Sequence, residues 1–316
     1  MTTGNYHVPV LPHASIEGLG VANRLQGTFV DVTFGGGGHS RLILHTLGDH
    51  GRLFGFDQDP DANDNIPGDS RFQLIPENFR HTRNFLRLQG VHKIDGLLAD
   101  LGVSSHQFDE GERGFSIRFD GPLDMRMNQS MKQSAADVIA EYEVDALIRV
   151  FREYGELKRP DKAAYAIQQV RNQQRIKSTF ELMRALQPLA PRGRENQYFA
   201  QVFQALRIEV NDELGALKAL LESTIHMMDE GARLVVISYH SLEDRLVKHF
   251  MRSGNFEDDV QRDFKGQSIC PFVPITRKAI VASDAEQATN PRSRSARLRV
   301  AERTRIPSDD LKPKAA

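Results

Sequence analysis

Three carboxylates and a run of glycines carry the first chemical signal in the chain. Asp31-Val32-Thr33-Phe34-Gly35-Gly36-Gly37-Gly38-His39 follows a short apolar stretch, and Asp57 closes a second such stretch about 26 residues later. Consecutive glycines let a backbone turn with positive φ and approach a ligand closely. An acid at the end of the next strand is where nucleoside-binding α/β folds receive ribose hydroxyls. Asp100 ends a further apolar run, Ile94–Asp100, and a carboxylate at the end of a buried strand needs a partner. Tyr239 and His240 follow another strand-like run. They are placed to stack on a planar ligand, to take a proton, or simply to cap the helix expected near Ser241.

These residues need a frame, and hydrophobic patterning supplies one. Gly27–Val32, Arg52–Asp57, Phe72–Ile75 and Ile94–Asp100 read as strands, with helices at His39–Leu47 and His81–Gln89 between them. Strand–helix alternation implies a parallel sheet covered on both faces. The alternation stops after Asp100. A loop-like stretch follows to Gln129, then helical patterns at Ser134–Tyr142, Val144–Tyr154, Asp161–Gln174, Thr179–Leu189 and Gln197–Ile208. A strand returns at Ala232–Ser238, followed by a helix from Leu242 to Met251. The economical account is an α/β domain (1–104 and 215–306) split by a mainly helical insertion (105–214), with a disordered tail (307–316).

With 316 residues, 40% hydrophobic and 26% charged, the chain can bury a substantial core without staples. One cysteine, Cys270, rules out an internal disulfide and suits a reducing compartment. No charged-then-apolar leader and no apolar run near 18 residues is present, so a cytoplasmic protein without a membrane span is expected. No Cys/His cluster has zinc-ligand spacing, so no metal is expected. Net charge is −1, but its distribution is uneven. Eleven Lys/Arg face four Asp/Glu between Arg149 and Arg194, and six arginines face Glu302 alone between Asn290 and Ile306. Such local patches suit an anionic partner, and equally a solvated helix face and a frayed tail.

The glycine loop also narrows the ligand. G-x-G-x-x-G is not met, because the glycines are contiguous and His39-Ser40-Arg41 follows. A nucleoside cofactor without phosphates, such as S-adenosylmethionine, fits better than a dinucleotide. A nicotinamide-dependent oxidoreductase stays as the weaker reading.

Eight segments in order resemble the bacterial MraW/RsmH methyltransferases. They are His7–Leu11, Phe34–Ser40, Asp57–Pro60, Asp100–Ser105, Glu112–Met127, Phe203–Ile208, His240–Arg245 and Asn290–Ser295. The resemblance implies a Rossmann-like class I S-adenosylmethionine-dependent fold with an inserted helical domain. It implies methylation of the exocyclic N4 amine of a decoding-centre cytosine in 16S rRNA of the small ribosomal subunit, with a homodimer as an option. It puts cofactor contacts on Gly37, Gly38, His39, Asp57, Phe79, Asp100 and Gln107. Asp57 can accept two ribose hydroxyls, and Phe79 can offer its ring to adenine or sit in the core. Asp100, Tyr239 and His240 are the candidates for handling the amine and its proton. Arg171, Arg175 and Lys177 in the insertion, with Arg292 and Arg294 near the end, are the candidates for phosphate contacts. A cofactor-binding ribosome-assembly factor without turnover is the remaining alternative.

Overall fold

The computed structural model describes residues 9–104, 107–108, 110–263, 265–266 and 268–305. His7, Val8 and Ser105 of the segments above, and the tail expected at 307–316, lie outside the described residues. The chain forms two units. One runs up to Gly102 and resumes at Gly215, and the other is Val103–Leu214.

The first unit is built on a seven-stranded sheet. Its strands are β1 (Thr28–Asp31), β2 (Arg52–Phe56), β3 (Phe72–Ile75), β4 (Ile94–Asp100), β5 (Met228–Ser238), β6 (Phe272–Pro274) and β7 (Arg297–Arg303), in spatial order β3-β2-β1-β4-β5-β7-β6. The first five pair in parallel, and α1 (Pro12–Leu19), α2 (Gly38–Thr46) and α3 (Thr82–Leu88) connect or flank them. Successive strand residues point to opposite faces, and both faces are apolar here. Val30, Phe54, Leu97 and Leu234 join one core with Leu217 and Leu221 of α9 (Glu213–Met227) and Phe250 of α10 (Ser241–Ser253). Their neighbours Phe29, Leu53, Leu98 and Val235 join the other, with Leu19 of α1 and Ile43 of α2. Each such side chain contributes about 1.5–3 kcal/mol by leaving water. Burial on both sides explains why these strands read as unbroken apolar runs.

The sheet departs from the all-parallel expectation at one place. β7 runs antiparallel between β5 and β6, so part of the supposed basic tail is a buried strand. Leu298 and Val300 enter the core, while two of the arginines serve the fold. Arg299 pairs with Asp244 of α10 at 2.7 and 3.0 Å. Arg303 is buried and donates to the carbonyls of Pro271 and Ile225. α1 is also additional to the sequence reading, with Pro12 at its first turn and Gly20 (φ 65°) ending it.

The second unit is helical: α4 (Ala135–Glu141), α5 (Val144–Glu153), α6 (Pro160–Arg171), α7 (Thr179–Leu186) and α8 (Glu195–Asn211). Its core gathers Ile139, Val150, Phe151, Ile167, Leu182, Val202 and Leu206. Capping boxes start α4 (Ser134 with Asp137) and α7 (Ser178 with Glu181). The Glu112–Met127 segment is fastened to α8 by Asn211, whose amide donates to Met125 O and accepts from Met127 N. Among the described residues no helix is long and apolar enough to cross a membrane.

Candidate active site

Because β1, β2, β4 and β5 run in parallel, their carboxyl ends bring Asp31, Asp57, Asp100 and Tyr239 to one edge of the sheet. In open α/β sheets this edge is where ligands bind.

The loop after β1 is shaped from within. Gly35 (φ 48°) gives its N–H to Asp57 Oδ2 at 2.8 Å, and Gly37 (φ 73°) is the N-cap of α2. A Cβ on Gly37 would meet Arg41 Nη1 at 2.8 Å and Phe34 at 2.9 Å, and one on Gly38 would meet Pro9 at 3.1 Å. At Gly36 a Cβ would meet nothing within 4 Å. The sequence reading named Gly37 and Gly38, and the protein's own packing also requires those two to be small. The open position is Gly36, one residue earlier.

Asp57 is half-buried. Oδ2 accepts from Gly35 N and Oδ1 from Asp59 N, at 2.8 and 2.9 Å. Burial pushes its pKa up to about 6 against these two hydrogen bonds, and the nearby Asp59 and Asp31 raise it further. A carboxylate held this way is oriented by backbone donors and keeps lone pairs for two hydroxyls. Phe79 opens a 3-10 turn after β3, is partly buried, and packs against the core. Its lead-in is tied to the Asp57 loop by Asn78 Nδ2 donating to Gln58 Oε1 at 2.9 Å. Gln107 belongs to the second unit, where its side-chain oxygen accepts from Ser104 N at 3.1 Å and its residue is buried.

Asp31 was read only as the flank of the glycine loop, yet it organises this edge. It is buried, which raises its pKa, and it accepts from Ser40 Oγ at 2.7 Å and from Thr33 N at 3.2 Å. Thr33 Oγ1 in turn accepts from Asp100 N at 2.7 Å. The local signal was a serine one turn into the helix that follows the acid.

Asp100 has a 22% exposed side chain. Burial raises its pKa to about 6, opposed by the charge of His39 and a hydrogen bond from Tyr239. Tyr239 Oη donates to Asp100 Oδ1 at 2.7 Å. Burial also drives the tyrosine pKa far upward, so of the roles open to it Tyr239 here keeps its proton and donates it in a hydrogen bond to Asp100. His240 turns out to be the N-cap of α10. Its Nδ1 accepts from Glu243 N, and Nε2 lies 3.2 Å from Glu243 Oε1 without the alignment of a hydrogen bond. The imidazole that does face Asp100 is His39, with Nδ1 3.8 Å from Oδ2.

The candidate phosphate contacts divide. Arg171 Nη1 donates to the carbonyls of Ile139 and Tyr142 at the end of α4, at 2.8 and 2.7 Å, so this guanidinium holds the helix unit together. Arg175 is paired with Asp137 at 2.5 Å. Lys177 and Arg294 are exposed, and Arg292 is partly buried.

Parallel strands in the order 3-2-1-4-5, an antiparallel seventh strand beside the fifth, and a glycine loop and acid at the carboxyl edge define a Rossmann-like class I methyltransferase. The model of the MraW methylase family matches residues 4–304, and the chain belongs to that family. Ribosomal RNA small subunit methyltransferase H of Parabacteroides distasonis is 53% identical over 299 residues, covering 94% of this chain and 97% of that protein. The protein of the same name from Cytophaga hutchinsonii is 52% identical over 301 residues, covering 94% of this chain and 99% of that one. Among solved structures, Aeropyrum pernix fibrillarin with natively bound S-adenosyl-L-methionine aligns at 9% identity and a TM-score of 0.35, over 87% of this chain and 66% of that one.

The family's cofactor is S-adenosyl-L-methionine. The edge fits it on two counts: the open space at Gly36 admits a ligand against the backbone, and Asp57, held by the N–H groups of Gly35 and Asp59, is a pre-oriented acceptor for a ribose diol. No phosphate needs to be neutralised there.

Proposed function

We propose that this chain methylates the exocyclic N4 amine of a decoding-centre cytosine in 16S rRNA. The observation that carries this reading is Asp100, whose side chain is partly exposed at the same sheet edge as the glycine loop and Asp57, with Tyr239 bonded to Oδ1 and not to Oδ2. The rRNA substrate follows from family membership and from relatives named as small-subunit rRNA methyltransferases.

S-adenosylmethionine, when bound, supplies an electrophilic methyl group. Asp57 would hold the ribose and the Gly35–Gly37 backbone would pass beside the ligand, with Phe79 against the adenine. Cytosine's amine is a weak nucleophile because its lone pair is delocalised into the ring. Asp100 Oδ2 would accept one amine N–H, which orients the nitrogen and lets charge leave it as the new bond forms. Orientation of this kind supplies a large part of such a rate. A base reaches this pocket only when unstacked. In this reading the helical unit recognises folded RNA, with Lys177 as a phosphate contact and Arg175 available by exchanging Asp137 for a phosphate, and Arg294 of the first unit adds a further phosphate contact. Phosphate contacts orient without reading sequence.

The test is mass mapping of 16S rRNA after incubation of unmodified small subunits with the protein and isotope-labelled S-adenosylmethionine. Label on the N4 of one cytosine supports the reading. Label on a ring carbon, a ribose oxygen or another base overturns it.

A further inference from the structure

We propose that Asp100 is the middle member of a Tyr239–Asp100–His39 array, in which Tyr239 immobilises one carboxylate oxygen and His39 Nδ1 receives the amine proton from the other. This rests on the reading of Asp100 as the acceptor for the substrate amine.

The two ends of the array have opposite hydrogen-bonding character. Tyr239 is a fixed donor: its Oη–H reaches Asp100 Oδ1 at 2.7 Å, its ring packs against the core, and its N–H is held by Glu243 Oε2 at 2.9 Å. His39 is a fixed acceptor. Its Nε2 lies 2.9 Å from Val10 O, and a carbonyl only accepts, so Nε2 carries the hydrogen. In the neutral ring Nδ1 is therefore bare, and it faces Oδ2 at 3.8 Å. Two acceptors at that separation lie beyond hydrogen-bond distance, and a proton taken up between them would draw them together.

The segment Pro9–Leu11, which the cofactor reading did not use, gains a role here. It holds the imidazole in this tautomer, and it is itself held. Leu11 N–H donates to Glu286 Oε1 at 2.7 Å, Leu11 sits in the left-handed region (φ 49°), and Pro9 packs on Gly38.

The proton count closes. The amine nitrogen uses its lone pair for the new N–C bond, and the bonding pair of the broken methyl bond leaves with the donor's sulfur. The cationic nitrogen then recovers the electron pair of one N–H bond, whose proton passes to Asp100 Oδ2 and on to His39 Nδ1. The product pair is imidazolium beside carboxylate, which is discharged to water after turnover. Among the described residues, the charged and titratable groups around the array are Asp31 from β1, Glu243 on α10 and Glu286 on α11 (Asp284–Thr289).

Four measurements test the array. In the protein alone at pH 8, nitrogen-15 NMR of histidine should show His39 with hydrogen on Nε2 and none on Nδ1; the reverse tautomer overturns the proposal without any variant. Tyr239→Phe and His39→Gln should each slow single-turnover methylation of small subunits by roughly tenfold or more. For Tyr239→Phe, S-adenosylhomocysteine affinity by calorimetry should stay within about threefold, since that change removes none of the candidate cofactor contacts. Tyr239→Phe should also move the acid limb of the rate to higher pH, because the lost hydrogen bond was lowering the Asp100 pKa. A slower rate with an unmoved limb would make Tyr239 merely structural and overturn its part. If Asp100→Asn is inactive while both other variants turn over normally, the array fails and the Asp100 reading stands. If Asp100→Asn turns over normally, that reading itself has failed.

Discussion

Asp100 and Asp57 are carboxylates that the fold disfavours when ionised, since burial raises both to about 6. For Asp100 this has a consequence for stability. Its folded pKa lies above the unfolded value of 3.8, so the folded state binds the extra proton and loses relative stability as pH rises from about 4 to 6. Asp100→Asn removes that penalty, and an asparagine suits the site: its oxygen can accept from Tyr239 and its NH2 can donate to His39 Nδ1. Calorimetric melts should show the variant more stable than the parent at pH 8, by up to about 3 kcal/mol, with the difference vanishing near pH 4. A variant less stable at pH 8 would mean that the ionised carboxylate is not the strained form. Asp57 predicts a binding effect instead. Two hydroxyl bonds to a charged acceptor are worth about 1.5–3 kcal/mol each, so Asp57→Ala should weaken S-adenosylmethionine binding tenfold or more by titration calorimetry. Unchanged affinity would remove Asp57 from the site.

At the scale of elements, the glycine loop separates fold from ligand. Gly36→Ala meets no atom and needs no positive φ, so it should melt like the parent while losing S-adenosylmethionine affinity. A parallel loss of melting temperature would show that Gly36 serves packing, as Gly37 does. α6 offers a second case. Arg171→Gln leaves two carbonyls at the end of α4 without their charged donor, and should destabilise the chain by about 1.5–3 kcal/mol in urea titrations. Neutrality there would return Arg171 to the phosphate contacts. What the sequence disclosed at this scale depended on how local the signal was. β3 was legible to the residue, and α4 and α5 to within one or two, because apolar period, caps and breakers all lie within a few residues of one another. β7 was hidden by its arginines. Its alternation of Arg297 and Arg299 with Leu298 and Val300 is a strand signal, outweighed by charge whose partners, Asp244 and the Pro271 carbonyl, are distant in sequence. The candidate site followed the same rule. Asp57 and Asp100 were legible as acids at strand ends, whereas the contact of Val10 with His39 joins segments with no shared pattern.

At the scale of the whole molecule, the proposed RNA contacts are charges that the fold leaves to solvent. Lys177→Gln and Arg294→Gln should each reduce the log–log salt slope of RNA binding by roughly 0.7–0.9, with cofactor affinity unaltered. An unchanged slope in filter-binding titrations would assign both to ordinary surface. The first unit is discontinuous: Leu97 of β4 pairs with Leu234 of β5, and the 112-residue helical unit is encoded between them. On the ribosome this order has a cost in time. At about 5–20 residues per second, β5 leaves the peptidyl-transfer centre roughly 7–27 s after β4, and β7 later still. During that interval β4 is an apolar strand with one unpaired edge, the kind of surface that recruits other nascent chains. The helical unit, whose contacts are more local, can fold in milliseconds or less once it has emerged. Its synthesis therefore sets a waiting period for the catalytic sheet, in which a trigger-factor-like holdase or a slow-codon pause would have its largest effect on yield.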